Sequence, residues 1–183
     1  MMKKLLTTFS LALTLCLSLT TVFAAPSINK NGAVKKDSIL INGEKVDANT
    51  TAAFDSKKEA YSAAGVSDET IDVIEKVNAN PSQLASLIKG VDLSGYSLLT
   101  EFQDLSIYVN GELKQKVKNV TLTWEVPNLV KTAKNVKVLH YSTERNTWEI
   151  LTPKSVDFDN KTITQEFKDL SPVAVIYQAG DTN

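Results

Sequence analysis

From Tyr96 to Tyr177 the chain is a succession of short β-forming runs separated by turns, with no gap long enough for a crossover helix. Parallel neighbours need a connection of roughly a dozen residues or more, so this spacing dictates antiparallel pairing. Val120, Leu122, Trp124 and Val126 alternate with Thr121, Thr123 and Glu125, the period of a strand buried on one face. Pro127 ends that strand. Leu98 to Leu105 reads as one strand and Ser106 to Lys114 as a hairpin. Val136 to Ser142 and Thr147 to Leu151 flank the turn Thr143 to Asn146. Val156 to Phe158 and Thr162 to Phe167 flank Asp159-Asn160-Lys161, and Pro172 to Tyr177 is the last strand. Short strands at such intervals argue for a sandwich of two sheets.

Upstream the pattern is mixed. Asn42-Gly43, after Ser38-Ile39-Leu40-Ile41, and Asn110-Gly111, after Ile107-Tyr108-Val109, both read as tight hairpin turns, because both turn positions need positive φ. Between them the apolar period lengthens to that of a helix. Ser56 and Glu59 form a capping-box pair ahead of Ala60, Tyr61 and Ala64, with Gly65 as the stop. Ser67 caps a second helix whose apolar face is Ile71, Ile74 and Val77. Asn80-Pro81 opens a third, with Leu84, Leu87 and Ile88 as its stripe and Gly90 at its end. Helices this short are unstable alone in water and must pack on one another or on the sheet.

The N-terminus has the three parts of an export signal. Lys3 and Lys4 precede an uncharged apolar run from Leu5 to Val22, and Val22-Phe23-Ala24 offers slim side chains for cleavage after Ala24. Cys16 follows Leu15, not the small residue a lipid-attachment site needs, and reads as an apolar member of that run. The exported part then holds no cysteine, which removes disulfides, thiol nucleophiles and thiolate metal sites. Losing Lys3 and Lys4 moves the net charge from −1 to about −3. That mild acidity argues against nucleic acid as a partner and, with no second apolar span, against stable membrane insertion once the signal is cut.

Val138-Leu139-His140-Tyr141, Trp148-Glu149, Thr162-Ile163-Thr164-Gln165-Glu166-Phe167 and Leu170-Ser171-Pro172-Val173-Ala174-Val175 resemble consecutive strands of an immunoglobulin-like module found in secreted and cell-surface proteins of Gram-positive anaerobes. The resemblance covers about a third of the chain. It implies a surface-protein sandwich and brings no catalytic residues. Many relatives of that kind carry a wall anchor after the module, and here the tail Gln178 to Asn183 is short and polar.

Chemistry has little to build on. The single histidine, His140, shares the strand face of Val136 and Val138 and reads as a core histidine; the opposing reading is a catalytic base in a small hydrolase. No H-E-x-x-H zinc spacing and no G-x-S-x-G elbow occurs, Ser94-Gly95 included. Glu101, Asp104, Glu125, Glu149 and Glu166 lie on strands and read as solvated outer-face acids. Asp157-x-Asp159-Asn160 offers part of a calcium loop, but Lys161 stands where a further ligand belongs, and a hairpin turn explains it. Trp124 shares its face with Val120, Leu122 and Val126, and Trp148 with Ile150, so both read as core. Tyr96, Tyr108 and Tyr141 are the freer aromatics for stacking on a glycan.

These features predict an α+β, mainly β fold: a short helical lobe followed by an antiparallel immunoglobulin-like β-sandwich. The predicted organisation is a signal peptide at 1–24 and a flexible lead-in at 25–37. A hairpin plus three short helices follow at 38–95, the sandwich at 96–178, and a polar tail at 179–183. The functional expectation is a non-catalytic secreted or cell-surface bacterial protein acting through contact with a protein or cell-wall component, in adhesion, structure or regulation. No catalytic, metal or cofactor residue is expected. Asn128 to Asn135 and Thr143 to Asn146 are plausible contact loops, and a carbohydrate-binding module is the alternative.

Overall fold

The computed structural model describes residues 28–114 and 116–180. The expected export signal at 1–24 and tail residues 181–183 lie outside the described residues. Strand β1 (Leu40–Ile41) turns through Asn42-Gly43 into β2 (Glu44–Lys45), and β3 (Thr50–Asp55) follows. Asn42 and Gly43 have φ of 52° and 82°, the paired positive angles a two-residue hairpin demands. Helices α1 (Lys58–Ala63), α2 (Asp68–Ala79) and α3 (Leu84–Leu87) come next. The remaining strands are β4 (Tyr96–Leu98), β5 (Gln103–Val109), β6 (Glu112–Lys114), β7 (Lys118–Glu125), β8 (Ala133–Ser142), β9 (Thr147–Leu151), β10 (Ser155–Asp157), β11 (Thr162–Asp169) and β12 (Pro172–Ala179).

The strands form two antiparallel sheets. One has the order β10-β11-β7-β1-β2; the other has β3-β5-β12-β8-β9, with β4 added on β12 and β6 on β5. Their facing sides share a core that includes Val120, Leu122, Trp124, Ile163 and Phe167 from the first sheet. Leu105, Ile107, Val138, Val173 and Val175 come from the second. The fold is therefore α+β, mainly β, and sandwich-like. Within the first sheet β7 pairs with β11, and within the second β8 pairs with β12. Strand β12 also pairs with β4 and β5, which come earlier in the chain.

The helices form a third layer. Ile71, Ile74 and Val77 of α2, with Tyr61, Leu84 and Ile88, pack on the outer face of the second sheet against Leu98, Phe102, Leu139, Tyr141, Ala174 and Ile176. Each Ile or Val buried there contributes about 1.5–3 kcal/mol. Strands β8 and β12 therefore lie under apolar cover on both faces. Strand β7 keeps Thr121 and Thr123 outward and half-buried.

Four expectations need correction. The segment expected as a free lead-in lies, over 28–37, against β7: Gly32 N–H donates to Glu125 O at 2.8 Å, Glu125 N–H to Ala33 O at 3.0 Å, and Lys35 N–H to Thr123 O at 2.8 Å. The expected division at 95/96 does not separate two units, because β1 pairs with β7 and β3 with β5. The single strand expected at 98–105 is broken at Leu99–Phe102. Leu99 and Thr100 both donate their amides to Val175 O, while Thr100 Oγ1 accepts from Val175 N–H; two residues facing one is a bulge, which bends a strand. Finally, α1 starts from Lys57 and Ser56 does not cap it. Asp55, at the end of β3, takes the Lys57 amide at 2.9 Å and shifts the start by one residue.

Candidate functional site

Strand pairing places His140 (β8) opposite Glu149 (β9) on one side and Val173 (β12) on the other. The tight connection from β11 to β12 brings Ser171 under the ring. His140 Nε2 lies 2.9 Å from Ser171 Oγ, and Nδ1 lies 3.6 Å from Glu149 Oε2. A hydroxyl, an imidazole and a carboxylate thus stand in a row, a juxtaposition that spacing along the chain did not reveal. Arg145 extends it. Its guanidinium holds Glu149 through Nε to Oε1 at 2.6 Å and Nη2 to Oε2 at 3.0 Å, and reaches Asp169 Oδ1 at 2.7 Å. Ser142 Oγ donates to Asp169 Oδ2 at 2.9 Å.

The orientation of the hydrogen bonds decides what this row can do. Ser171 Oγ also lies within hydrogen-bond reach of Tyr141 O. A carbonyl only accepts, so the hydroxyl proton goes there and Ser171 receives the Nε2 proton of His140. Nδ1 is then the bare nitrogen, and it has no hydrogen-bond partner among the described residues. This is the reverse of a catalytic triad, in which the hydroxyl donates to the ring and the ring donates to the acid. Access is closed as well: His140 is 1% exposed and Ser171 0%, and the ring packs 5.5 Å from the Phe167 ring centre. Burial holds the imidazole pKa below its ordinary value, against the opposing pull of Asp169 and Glu149. The hydrogen bonds from Arg145 hold Glu149 below the usual carboxylate range.

A second polar group lies under α1. Asp104 is buried, expected outward from the sequence but turned in because β5 runs beneath a helix. Its Oδ2 accepts from Ser106 Oγ at 2.7 Å, and its Oδ1 has no partner among the described residues. Burial first, and the charge of Asp55 directly across on β3, push its pKa up to about 6 against the pull of the Ser106 hydrogen bond. Nearby, Tyr61 Oη donates to Phe102 O at 2.7 Å, and Asn78 grips the same residue twice: Nδ2 to Phe102 O at 3.1 Å and Phe102 N–H to Oδ1 at 2.8 Å.

The other sequence candidates scatter. Trp124 is 0% exposed, and its indole N–H donates to Asn31 Oδ1 at 3.0 Å. Trp148 is half-buried in the outer core, edge-on to Phe102 at 5.2 Å and to Tyr141 at 5.0 Å. Tyr141 is 8% exposed, so its expected freedom for stacking is corrected; Tyr96 and Tyr108 are half-buried. Asp157 uses its carboxylate inside its own turn, accepting from the amides of Asp159 and Asn160 and from Asn160 Nδ2. In the two proposed contact loops, Leu129 is core while Val130 is exposed, and Arg145 is committed to Glu149 and Asp169. A cleft of about 260 Å³ opens where α1, β5, β6 and the β8–β9 turn meet. Set against known proteins, the chain matches no family model, no curated protein and no solved structure.

Proposed function

We propose that this chain is a non-catalytic bacterial protein, exported to the cell surface or the medium, that works through contact with another protein in adhesion, structure or regulation. The observation that carries this reading is the sealed and reversed row at His140. The sole imidazole gives its Nε2 proton to a hydroxyl that is itself committed to a backbone carbonyl. A group so placed stabilises the junction of β8, β9 and β12, and its bare nitrogen is buried out of reach of a substrate. The export pattern at 1–24 and the resemblance to cell-surface sandwich modules support the location. The glycan reading draws nothing from Trp124, which lies within the core.

Two experiments test this. Crosslinking on intact producing cells, followed by recovery of the protein, should yield a discrete protein partner; recovery of the protein alone from wall and medium would count against contact. In the second, Ser171→Ala leaves the His140 Nε2 proton and the Tyr141 carbonyl without their shared partner. It should cost about 1–3 kcal/mol of unfolding free energy in urea. Turnover of an ester, glycoside or peptide by the purified protein that vanished in this variant would overturn the non-catalytic reading.

A further inference from the structure

Helix α1 is a thin cover over an acid. It packs on α2 and β5, yet it buries one side chain, Tyr61, and no side chain caps its first turn. Tyr61 Oη ties it to the sheet by donating to Phe102 O at 2.7 Å, and the Lys57 amide does so by donating to Asp55 Oδ1 at 2.9 Å. At its far end Gly65, with φ of 85°, turns the chain toward α2. Beneath it Asp104 is 1% exposed, and its Oδ1 has no partner among the described residues. From β3, Asp55 faces this carboxyl in register; from β12 the facing residue is Pro172, which carries no charge. On its own strand Ser106 donates to Oδ2. From α1 comes Tyr61, which burial keeps protonated, with the charges of Glu101 and of Glu75 on α2 bearing on the same phenol. Lys57, Lys58 and Glu59 at the start of α1 are exposed. No ion pair among the described residues includes Asp55 or Asp104.

We propose that α1 is a proton-sensitive lid, closed on β5 while Asp104 carries a proton and lifting, between Ser56 and Gly65, once that carboxyl is ionised. The inference is independent of the contact reading above. A carboxylate buried with no cation beside it, and with a second acid across the strand pair, is unfavourable until water reaches it. The sheet cannot move aside without breaking its ladders, whereas α1 gives up one buried side chain and the bonds at Phe102 and Asp55. Segments with so few buried contacts open locally while the rest of the fold stays intact. The closed form holds the extra proton. Burial, then the charge of Asp55, push the Asp104 pKa from 3.8 up to about 6, so closure weakens as pH rises through that interval and the loss is complete above about pH 7. His140 plays no part in this response, because lifting α1 leaves it sealed against Phe167. In neutral medium the lid opens more often and bares Tyr61 and the backbone of Phe102, so the surface over β5 differs between acidic and neutral surroundings.

The test is native-state hydrogen exchange at the amides of Ala64, Gly65 and Val66, which bond to Ala60 O, Ser62 O and Tyr61 O. Rates are followed from about pH 4.5 to about pH 7.5, with and without low urea, and each is divided by the intrinsic rate at that pH; amides of β7 serve as the reference. The lid amides should exchange faster than those of β7, through an opening that urea leaves unchanged. That opening should grow by about tenfold or more across the pH range. In Asp104→Asn it should stay constant, near the acid level of the wild type. Unchanged far-UV circular dichroism confirms that the variant is folded. Lid amides that exchange only together with β7, in a urea-dependent step, refute the lid. An opening that does not respond to pH in the wild type, or that responds equally in Asp104→Asn, refutes its control by this carboxyl. None of these results bears on whether the protein has a cellular partner, which crosslinking decides separately.

Discussion

Asp104 and His140 are buried ionisable groups whose burial works on stability in opposite directions. The Asp104 carboxyl titrates near 3.8 when free and near 6 in the fold. Between those values the folded protein holds the extra proton, so stability falls as pH rises, and the penalty is complete above about pH 7. His140 is held neutral, its pKa below the ordinary 6.5. There the unfolded chain takes up the proton first, so stability falls as pH drops below 6.5. Asp104→Asn isolates the first effect, since an amide oxygen still accepts from Ser106 Oγ and no charge faces Asp55. The variant should be more stable than the wild type by about 1–3 kcal/mol at pH 7.5, and the gain should vanish by about pH 3.5. Melting temperatures of both proteins across that range check it; a gain independent of pH would assign the effect to packing, not to charge.

At the scale of elements, two attachments hold otherwise independent pieces in place. Asn78 presents an amide to both backbone groups of Phe102, acting as a one-residue strand that ties α2 to the bulge between β4 and β5. In Asn78→Ala the Phe102 carbonyl keeps Tyr61, but its buried N–H is orphaned at a cost of about 1–3 kcal/mol. Hydrogen exchange should quicken in α2 more than in β7. The strap at 28–37 depends on Gly32, where an added Cβ would lie 2.8 Å from Glu125 Cβ and 3.1 Å from Glu125 O. Gly32→Ala should lift the strap and open the chain to trypsin at Lys30 and Lys35, whereas the wild type resists at both. Neither attachment was legible in the sequence. The Asn-Gly turns, the Ser67 cap and the Ile71-Ile74-Val77 stripe were, because each is decided by residues a turn or two apart. Asn78 and Gly32 read as an ordinary helix residue and an ordinary loop residue, since their partners stand 24 residues away in one case and on β7 in the other. The His140 row was hidden for the same reason. Its face was predicted from alternation, but Ser171 and Glu149 arrive by strand pairing.

Over the whole molecule, the second sheet is a shared wall. Its first face closes the sandwich core, its other face closes the core under the helices, and β8 and β12 supply side chains to both. The uninterrupted apolar run Val173 to Tyr177 is what two-sided cover looks like in sequence, and it was the one available sign that the helices lie on the sandwich and not beside it. Losing either layer strips one face of β12, so the layers should unfold together. The two tryptophans sit conveniently for the test, Trp124 in the inner core and Trp148 in the outer one. In Trp124→Phe and Trp148→Phe proteins the remaining indole reports one core at a time, and far-UV circular dichroism reports the whole. Within each protein, fluorescence and dichroism midpoints in urea should coincide, as a two-state transition requires. A fluorescence change from Trp148 well before the dichroism transition would instead make the helices a separately melting layer. The shared wall would then be a boundary between two cooperative units.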